Sequence, residues 1–284
     1  MNAPTILALS AVLVQLAGAT LYLHRVARGR LERPVELYVA VPLGVVLAVL
    51  ALALGRGAPT PAALALLTVS GALGAIAFVM HALGRVPTNA IRVAVGEPLP
   101  AFTALDSEGG VFDSSSLEGR RVLLKFYRGE WCPFCQAELR AFEAMRPRLV
   151  ERGVQLIALS KDTPEAARAH ALRDQLGFPL LCDPELRVIR RFGLEHRKAL
   201  EISSGPRASL FGLTLGSSPR FRAMAAPTTL LVDEAGTIRW LDTTDDYKVR
   251  SSVQRVLGAI DRAFGGRVEP ERAPAIDEPE CVAC

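Results

Sequence analysis

Three uncharged apolar stretches within the first 84 residues constrain this 284-residue chain more than any other feature. They run from Met1 to Leu23, from Leu37 to Gly55 and from Gly57 to Gly84, the last with its apolar centre from Ala62 to Leu83. At about 1.5 Å of rise per residue each is long enough to cross the roughly 30 Å of hydrocarbon in a bilayer. A helix satisfies its own backbone groups there without water. The reading is a membrane domain of three transmembrane helices over 1–84, followed by a connector over 85–94. A cleavable signal peptide is the rival for the first stretch. Met1-Asn2-Ala3-Pro4 lacks the usual basic n-region, however, and the two later stretches would anchor the chain anyway.

Loop charge sets the expected orientation. The first loop carries Arg25, Arg28, Arg30 and Arg33, the second only Arg56, and Arg85 and Arg92 follow the third helix. Basic loops stay on the cytoplasmic side. The expectation is therefore a multi-pass membrane protein with its N-terminus outside and everything after Gly84 in the cytoplasm. The chain has 33 Lys+Arg and 29 Asp+Glu, of which residues 1–84 hold five and two, so the rest is nearly neutral at 28 against 27. Basic residues such as Arg187, Arg190 and Arg191 alternate with apolar ones, as on a solvated helix face, and no nucleic-acid partner is expected. The region 266–284 is rich in Pro and Glu, reads as a flexible tail and ends in Cys281-Val282-Ala283-Cys284.

Between connector and tail, strands alternate with helices. Ala101–Leu105 and Val111-Phe112 flank a turn at 106–110, Arg121–Tyr127 has strand composition, and Leu139, Phe142, Met145 and Leu149 recur at helical spacing. A buried strand at Val154–Ser160 follows, then a helix to about Leu176 with Thr163 as N-cap and Pro164 at N1. Pro179–Cys182 reads as a short strand, Pro184–Phe192 as a helix, Thr228–Asp233 with Thr237–Leu241 as a hairpin, and Val249–Phe264 as an amphipathic helix. This pattern predicts an α/β domain over 95–265, a central mixed sheet flanked by helices.

Cys132-Pro133-Phe134-Cys135 sits where an apolar strand gives way to a helix. The free N–H groups and positive end of the dipole at a helix N-terminus stabilise a thiolate, so this placement favours a reactive sulfur near neutral pH. Two cysteines within one turn can also close on each other.

The segment from Phe126 to Leu139, Phe-Tyr-Arg-Gly-Glu-Trp-Cys-Pro-Phe-Cys-Gln-Ala-Glu-Leu, resembles the active-site segment of the peroxiredoxin-like branch of the alkyl hydroperoxide reductase and thiol-specific antioxidant (redoxin) superfamily. The resemblance extends from about Val95 to Ala263 and includes 96–102, 178–184, 227–233 and 236–239. It implies a thioredoxin fold, a hydroperoxide or protein-disulfide substrate, an external dithiol reductant such as a thioredoxin-like protein, and no cofactor. Laid without gaps on a peroxiredoxin site, Cys135 falls at the peroxidatic cysteine, Cys132 at a Thr and Arg128 at a Pro. Laid on thioredoxin, Cys132 is the exposed nucleophile and Cys135 the resolving thiol. Pro227, before Thr228, stands where a typical peroxiredoxin has an Arg, and resembles the cis-proline that packs over a thioredoxin Cys-x-x-Cys.

Other residues have plainer readings. Cys182 reads as core filler, Trp131 as a packing lid, and His170 and His196 as surface histidines. Arg128 either forms a salt bridge or stabilises a thiolate. Two Cys-x-x-Cys pairs invite a zinc site, but their separation is far beyond finger spacing, so no metal is expected. Cys281 and Cys284 are instead a candidate shuttle dithiol or an inert tail. The leading expectation is a membrane-anchored peroxiredoxin-like thiol oxidoreductase. A thiol:disulfide reductase is the enzymatic alternative, and a metallochaperone or membrane redox sensor the non-enzymatic one.

Overall fold

The computed structural model describes residues 2–55, 60–87, 90–204 and 208–265, so the tail with Cys281 and Cys284 lies outside the described residues. Three helices come first: α1 (Ala3–Ala27), α2 (Val35–Leu54) and α3 (Pro61–Ala82), all long and apolar enough to cross a membrane. Side-chain caps start two of them. Asn2 accepts a hydrogen bond from the Thr5 N–H, and Thr60 from that of Ala63. A Cβ on Gly18 would stand 2.4 Å from that of Ala40, so glycine is what lets α1 and α2 approach closely. The outer faces remain apolar, with Val39, Val49, Leu52, Ile76 and Phe78 exposed.

The second domain follows as β1 (Thr103–Leu105), β2 (Val111–Asp113), β3 (Arg121–Phe126), α4 (Pro133–Val150), β4 (Val154–Ser160), α5 (Pro164–Asp174), β5 (Leu180–Cys182), α6 (Arg187–Arg191), β6 (Glu195–Ser204), β7 (Ala208–Leu210), β8 (Leu213–Leu215), β9 (Ser218–Ala225), β10 (Thr228–Val232), β11 (Ile238–Thr243) and α7 (Val253–Phe264). The main sheet has the order β11-β10-β3-β4-β5-β1-β2. Strands β3, β4 and β5 run parallel at its centre, with antiparallel neighbours on both sides. Residues 122–126 of β3 are all buried, because central parallel strands are covered on both faces. The mixed sheet flanked by helices is the architecture expected from the sequence pattern.

Three details differ from the sequence reading. The helix expected over Pro184–Phe192 shrinks to α6, because the Asp183 carboxylate accepts the Arg187 and Ile189 N–H groups and Leu186 adopts a left-handed backbone. The helix expected from Val249 starts at Val253, where Ser252 caps it by accepting from the Arg255 N–H. Residues 193–226, left without elements in the sequence reading, fold into the ribbon β6-β9 and the hairpin β7-β8.

The helices and the redoxin-like domain share one packed core. Val26 and Leu31 belong to the same buried cluster as Cys132 and Cys135, and the Tyr22 and Phe134 ring centroids lie 6.4 Å apart. Backbone bonds join the parts as well: the Arg250 N–H donates to the Leu31 carbonyl at 2.7 Å and the Tyr247 N–H to that of Gly84 at 3.0 Å.

Candidate functional site

The Cys pair lies where β3 ends and α4 begins. Between them, loop 127–131 is tightly held. The Asp162 carboxylate accepts the Glu130 N–H at 2.8 Å, the Gln136 amide donates to the Glu130 carbonyl at 2.9 Å, and the Arg173 guanidinium donates to the Glu130 carboxylate at 2.9 Å. Gly129 is required here: its φ is 152°, and a Cβ would meet Trp131 Nε1 at 2.7 Å and Asp162 Oδ1 at 2.8 Å. Cys132 then takes the extended N-cap conformation and its carbonyl accepts the Gln136 N–H at 2.9 Å. Pro133 occupies the first turn, where its missing N–H costs nothing. Cys132 therefore sits at the positive end of α4, with Cys135 one turn in.

Both thiols are wholly buried. The burial departs from the thioredoxin overlay, in which Cys132 is the exposed nucleophile. Phe134 of the motif and, from outside it, Tyr22 of α1, Trp131 and Tyr247 supply the cover, with the Phe134 and Tyr247 rings edge to face at 5.7 Å. Cys132 lines a cavity of about 570 Å³ that continues between α1, α2 and α3, whereas Cys135 is not among its lining residues.

Behind the pair lies a buried charge cluster. Lys125 Nζ donates to Glu138 Oε1 at 2.6 Å and Arg250 Nε to Glu138 Oε2 at 3.0 Å, all three side chains being nearly inaccessible. One carboxylate thus faces two cations, leaving a net positive charge under the sulfurs. Arg128 adds a third cation at the cavity wall. It donates to the Leu200 carbonyl and to Met224 Sδ, and its guanidinium lies 3.8 Å from the Tyr247 ring centroid and 5.0 Å from that of Trp131. Of the two readings of Arg128, the cation beside the thiolate fits. No carboxylate pairs with it among the described residues, and its charge acts on Cys132.

The two sulfurs are driven apart electrostatically. Burial by itself would raise the Cys132 thiol, but the hydrogen bond from Cys135 and the charges of Arg128 and Arg250 outweigh it and bring Cys132 down to about 6. Burial and the neighbouring Cys132 hold Cys135 well above the ordinary thiol range. At neutral pH the arrangement is a Cys132 thiolate accepting from a Cys135 thiol. It supplies a nucleophile and a partner that can condense with the oxidised sulfur.

Of the sequence-selected residues, the structure brings Cys132, Cys135, Arg128, Trp131 and Pro133 together. Pro227 and Thr228 lie alongside, because the register pairs Thr228 with Phe126 at the end of β3. The Thr228 hydroxyl donates to the Ala226 carbonyl at 3.2 Å, so it is engaged locally. The bond before Pro227 is trans, which corrects the cis-proline resemblance; the chain runs straight from β9 into β10, with the Ala226 N–H held by the Leu194 carbonyl at 2.7 Å. His170 and His196 are buried rather than on the surface. His170 packs on Tyr127 and lies 3.1 Å from the Asp174 carboxylate, while burial and Arg128 hold His196 at about 4, hence neutral. Cys182 is buried in β5 and pushed up to about 12 by that burial, an inert core thiol. No group of three metal-ligating side chains occurs among the described residues.

Sequence reasoning missed Arg250, Tyr247, Lys125 and Glu138. The signal for Glu138 and Lys125 was present: two charged residues on a strand and a helix that otherwise read as buried. For Arg250 and Tyr247, more than a hundred residues from the pair, there was none.

A family model described as the AhpC/TSA family matches residues 95–241. A Coxiella burnetii protein described as "Putative peroxiredoxin bcp" is 29% identical over 172 residues, covering 60% of this chain and all of that protein. The thiol-disulfide oxidoreductase ResA of Bacillus cereus is 30% identical over 104 residues, 36% of this chain and 60% of its own length. Among solved structures, the peroxidoxin BcpB of Mycobacterium tuberculosis aligns with a TM-score of 0.46 at 18% identity, over 60% of this chain and 98% of that one.

Proposed function

The chain belongs to the AhpC/TSA family, and from that premise we propose that it is a membrane-anchored peroxidase in which Cys132 attacks a hydroperoxide and Cys135 resolves the product. The observation that carries this reading is the combination at Cys132 of a stabilised thiolate and complete burial. Cys132 lines a mostly apolar cavity but has no accessible surface of its own, so a small hydroperoxide needs only a slight parting of the side chains over the sulfur, whereas a bulky protein disulfide needs the site opened widely. The Cys132 thiolate attacks the terminal peroxide oxygen, the O–O bond breaks, and the sulfur is oxidised to a sulfenic acid while the alkoxide leaves and takes a proton from water. Cys135 then attacks the sulfenic sulfur and its proton departs with the hydroxyl as water, leaving a Cys132–Cys135 disulfide. Arg128 and Arg250 stabilise the attacking thiolate and the developing oxyanion. An external dithiol returns both electrons by thiol exchange on an opened form of the site.

Stoichiometric hydroperoxide added to reduced, metal-free protein tests the reading. Cys135→Ser should trap a sulfenic acid on Cys132, and the wild type should form the internal disulfide without releasing metal. Oxidation of neither cysteine, together with reduction of insulin disulfides, would overturn it in favour of a thiol:disulfide reductase, the activity in the name of the ResA relatives.

The three apolar helices are read as membrane spans and 95–265 as the catalytic domain, with the tail dithiol Cys281 and Cys284 as a shuttle. Because α1 and α3 both end against the catalytic domain, the Arg-rich first loop lies on the same side as the Cys pair, the cytoplasmic side by loop charge. A reporter fused at the C-terminus should be active in the cytoplasm; periplasmic activity would reverse the orientation.

A further inference from the structure

One helix would suffice as an anchor, yet side chains of all three line the cavity against which Cys132 lies. The cavity of about 570 Å³ is ordinary in size for a small-molecule site but unusual in its walls. One end is Cys132 with Arg128, Trp131, Tyr247 and Lys248, closed on one side by Leu200 and Ile202 of β6; the other end is mostly apolar side chains of α1, α2 and α3. Along α3 the lining runs from Leu73 to His81, about 12 Å of helix, so the cavity reaches well into the hydrocarbon layer. Its wall is open to the side, since the lining residues Ile76 and Phe78 are 60% and 71% exposed on a helix face that only lipid would cover. Deep in the bundle, Gln15 also lines the cavity, and neither of its amide atoms has a partner. The Tyr22 hydroxyl nearer the thiol is likewise unpartnered.

These features together select an amphiphile. Away from Arg128 and Lys248 the walls offer little to a charged or fully hydrated ligand, whereas an extended hydrocarbon chain loses no hydration by leaving the bilayer for them. A few polar groups spaced along the cavity suit a chain that carries an oxygen function part-way. We propose that the oxidant of Cys132 is a hydroperoxide borne on a long acyl chain, which enters sideways from the bilayer between the helices and lies in this cavity with its peroxide group at the Cys132 sulfur. This rests on the peroxidase reading and names the substrate class and route within it. The bonds made and broken are those already given: the chain hydroperoxide leaves as the chain alcohol, which returns to the bilayer by the same opening.

The test uses full-length protein in lipid nanodiscs, with Cys132 oxidation followed after addition of either a fatty-acyl hydroperoxide or hydrogen peroxide. Wild type should react about tenfold or more faster with the acyl hydroperoxide, because the cavity holds the chain in a reactive position. Ala19→Trp and Ala77→Trp, which place bulk in the cavity, should cancel that advantage, bringing the ratio of the acyl-hydroperoxide rate to the hydrogen peroxide rate down to about one. Leu52→Trp, on the outer face of α2, should change neither. A diazirine-bearing fatty acid should photolabel the Leu73–His81 segment of unmodified wild type above the outer face of α2, a readout that does not depend on the variants folding. Oxidation by hydrogen peroxide with a rate ratio indifferent to the plugs, or uniform photolabelling of all three helices, overturns the inference and leaves the peroxidase reading standing. Oxidation by neither peroxide overturns that reading, and the inference with it.

Discussion

The two sides of Cys132 are built from opposite materials. Behind it, Lys125, Glu138 and Arg250 form a buried charge cluster with more positive than negative charge; in front, an apolar cavity leads between three helices. The difference separates two jobs. The charged side decides how reactive the sulfur is, since cations next to a desolvated thiol stabilise its anion. The apolar side decides what reaches it. Substitutions on the two sides should therefore differ in what they change, and that difference is open to measurement.

The largest expected effect removes the point where the sides meet. Cys132→Ser should cost about a thousandfold or more in hydroperoxide-driven turnover, whereas Cys135→Ser should still consume one equivalent of peroxide and stop at a trappable sulfenic acid. Single-turnover oxidation followed by mass spectrometry distinguishes the two. A Cys132→Ser protein that still forms a sulfenic acid would move the attack to Cys135 and break the comparison at its centre.

On the charged side, Arg250→Met should raise the Cys132 midpoint from about 6 by roughly one unit, about 1.4 kcal/mol. The sign follows from the thiolate: reactivity is full above the midpoint and is lost as pH falls through it. Alkylation by a small iodoacetamide-type reagent should therefore keep its plateau rate at high pH and slow at pH 6.5. Arg128→Met should act in the same direction. If either substitution moved acyl-hydroperoxide preference instead of the pH midpoint, the two sides would not be separable.

On the apolar side, Tyr22→Ala opens the cover between α1 and Phe134. It should speed alkylation by a water-soluble maleimide several-fold and move the pH midpoint down, the opposite direction to Arg250→Met, because burial is what raises this thiol. The smallest effect belongs to His196. Burial and Arg128 keep it near 4, so it is neutral throughout the working range, and His196→Gln should change the rate at pH 7 by less than about twofold. A large drop would reveal a proton-transfer role that its neutral state does not suggest.

The resemblance of 126–139 to a redoxin site was legible because local chemistry carries it: an apolar strand, a turn that needs Gly129, a Cys at an N-cap and a Pro at the first helical turn. The same holds for α5, where Thr163 caps and Pro164 follows, and for the hairpin β10-β11. Residues 193–226 were not legible. The strands β6 and β9 carry Arg197, Lys198, Arg220 and Arg222 with no clean alternation, and they are strands because each pairs with the other, a contact between segments some twenty residues apart.

Sequence alone determined the three apolar helices, the α/β domain and the position of the dithiol, since hydropathy and capping act within a few residues of themselves. Tertiary structure alone decided that Cys132 is closed to water, that Arg250 lies under it, and that the cavity it lines runs between the helices. Those are contacts between residues far apart in the chain, set by which surfaces pack together once the helices dock on the sheet domain. Burial and net charge at a thiol are sums over every neighbour in space, and no local pattern in the chain encodes such a sum.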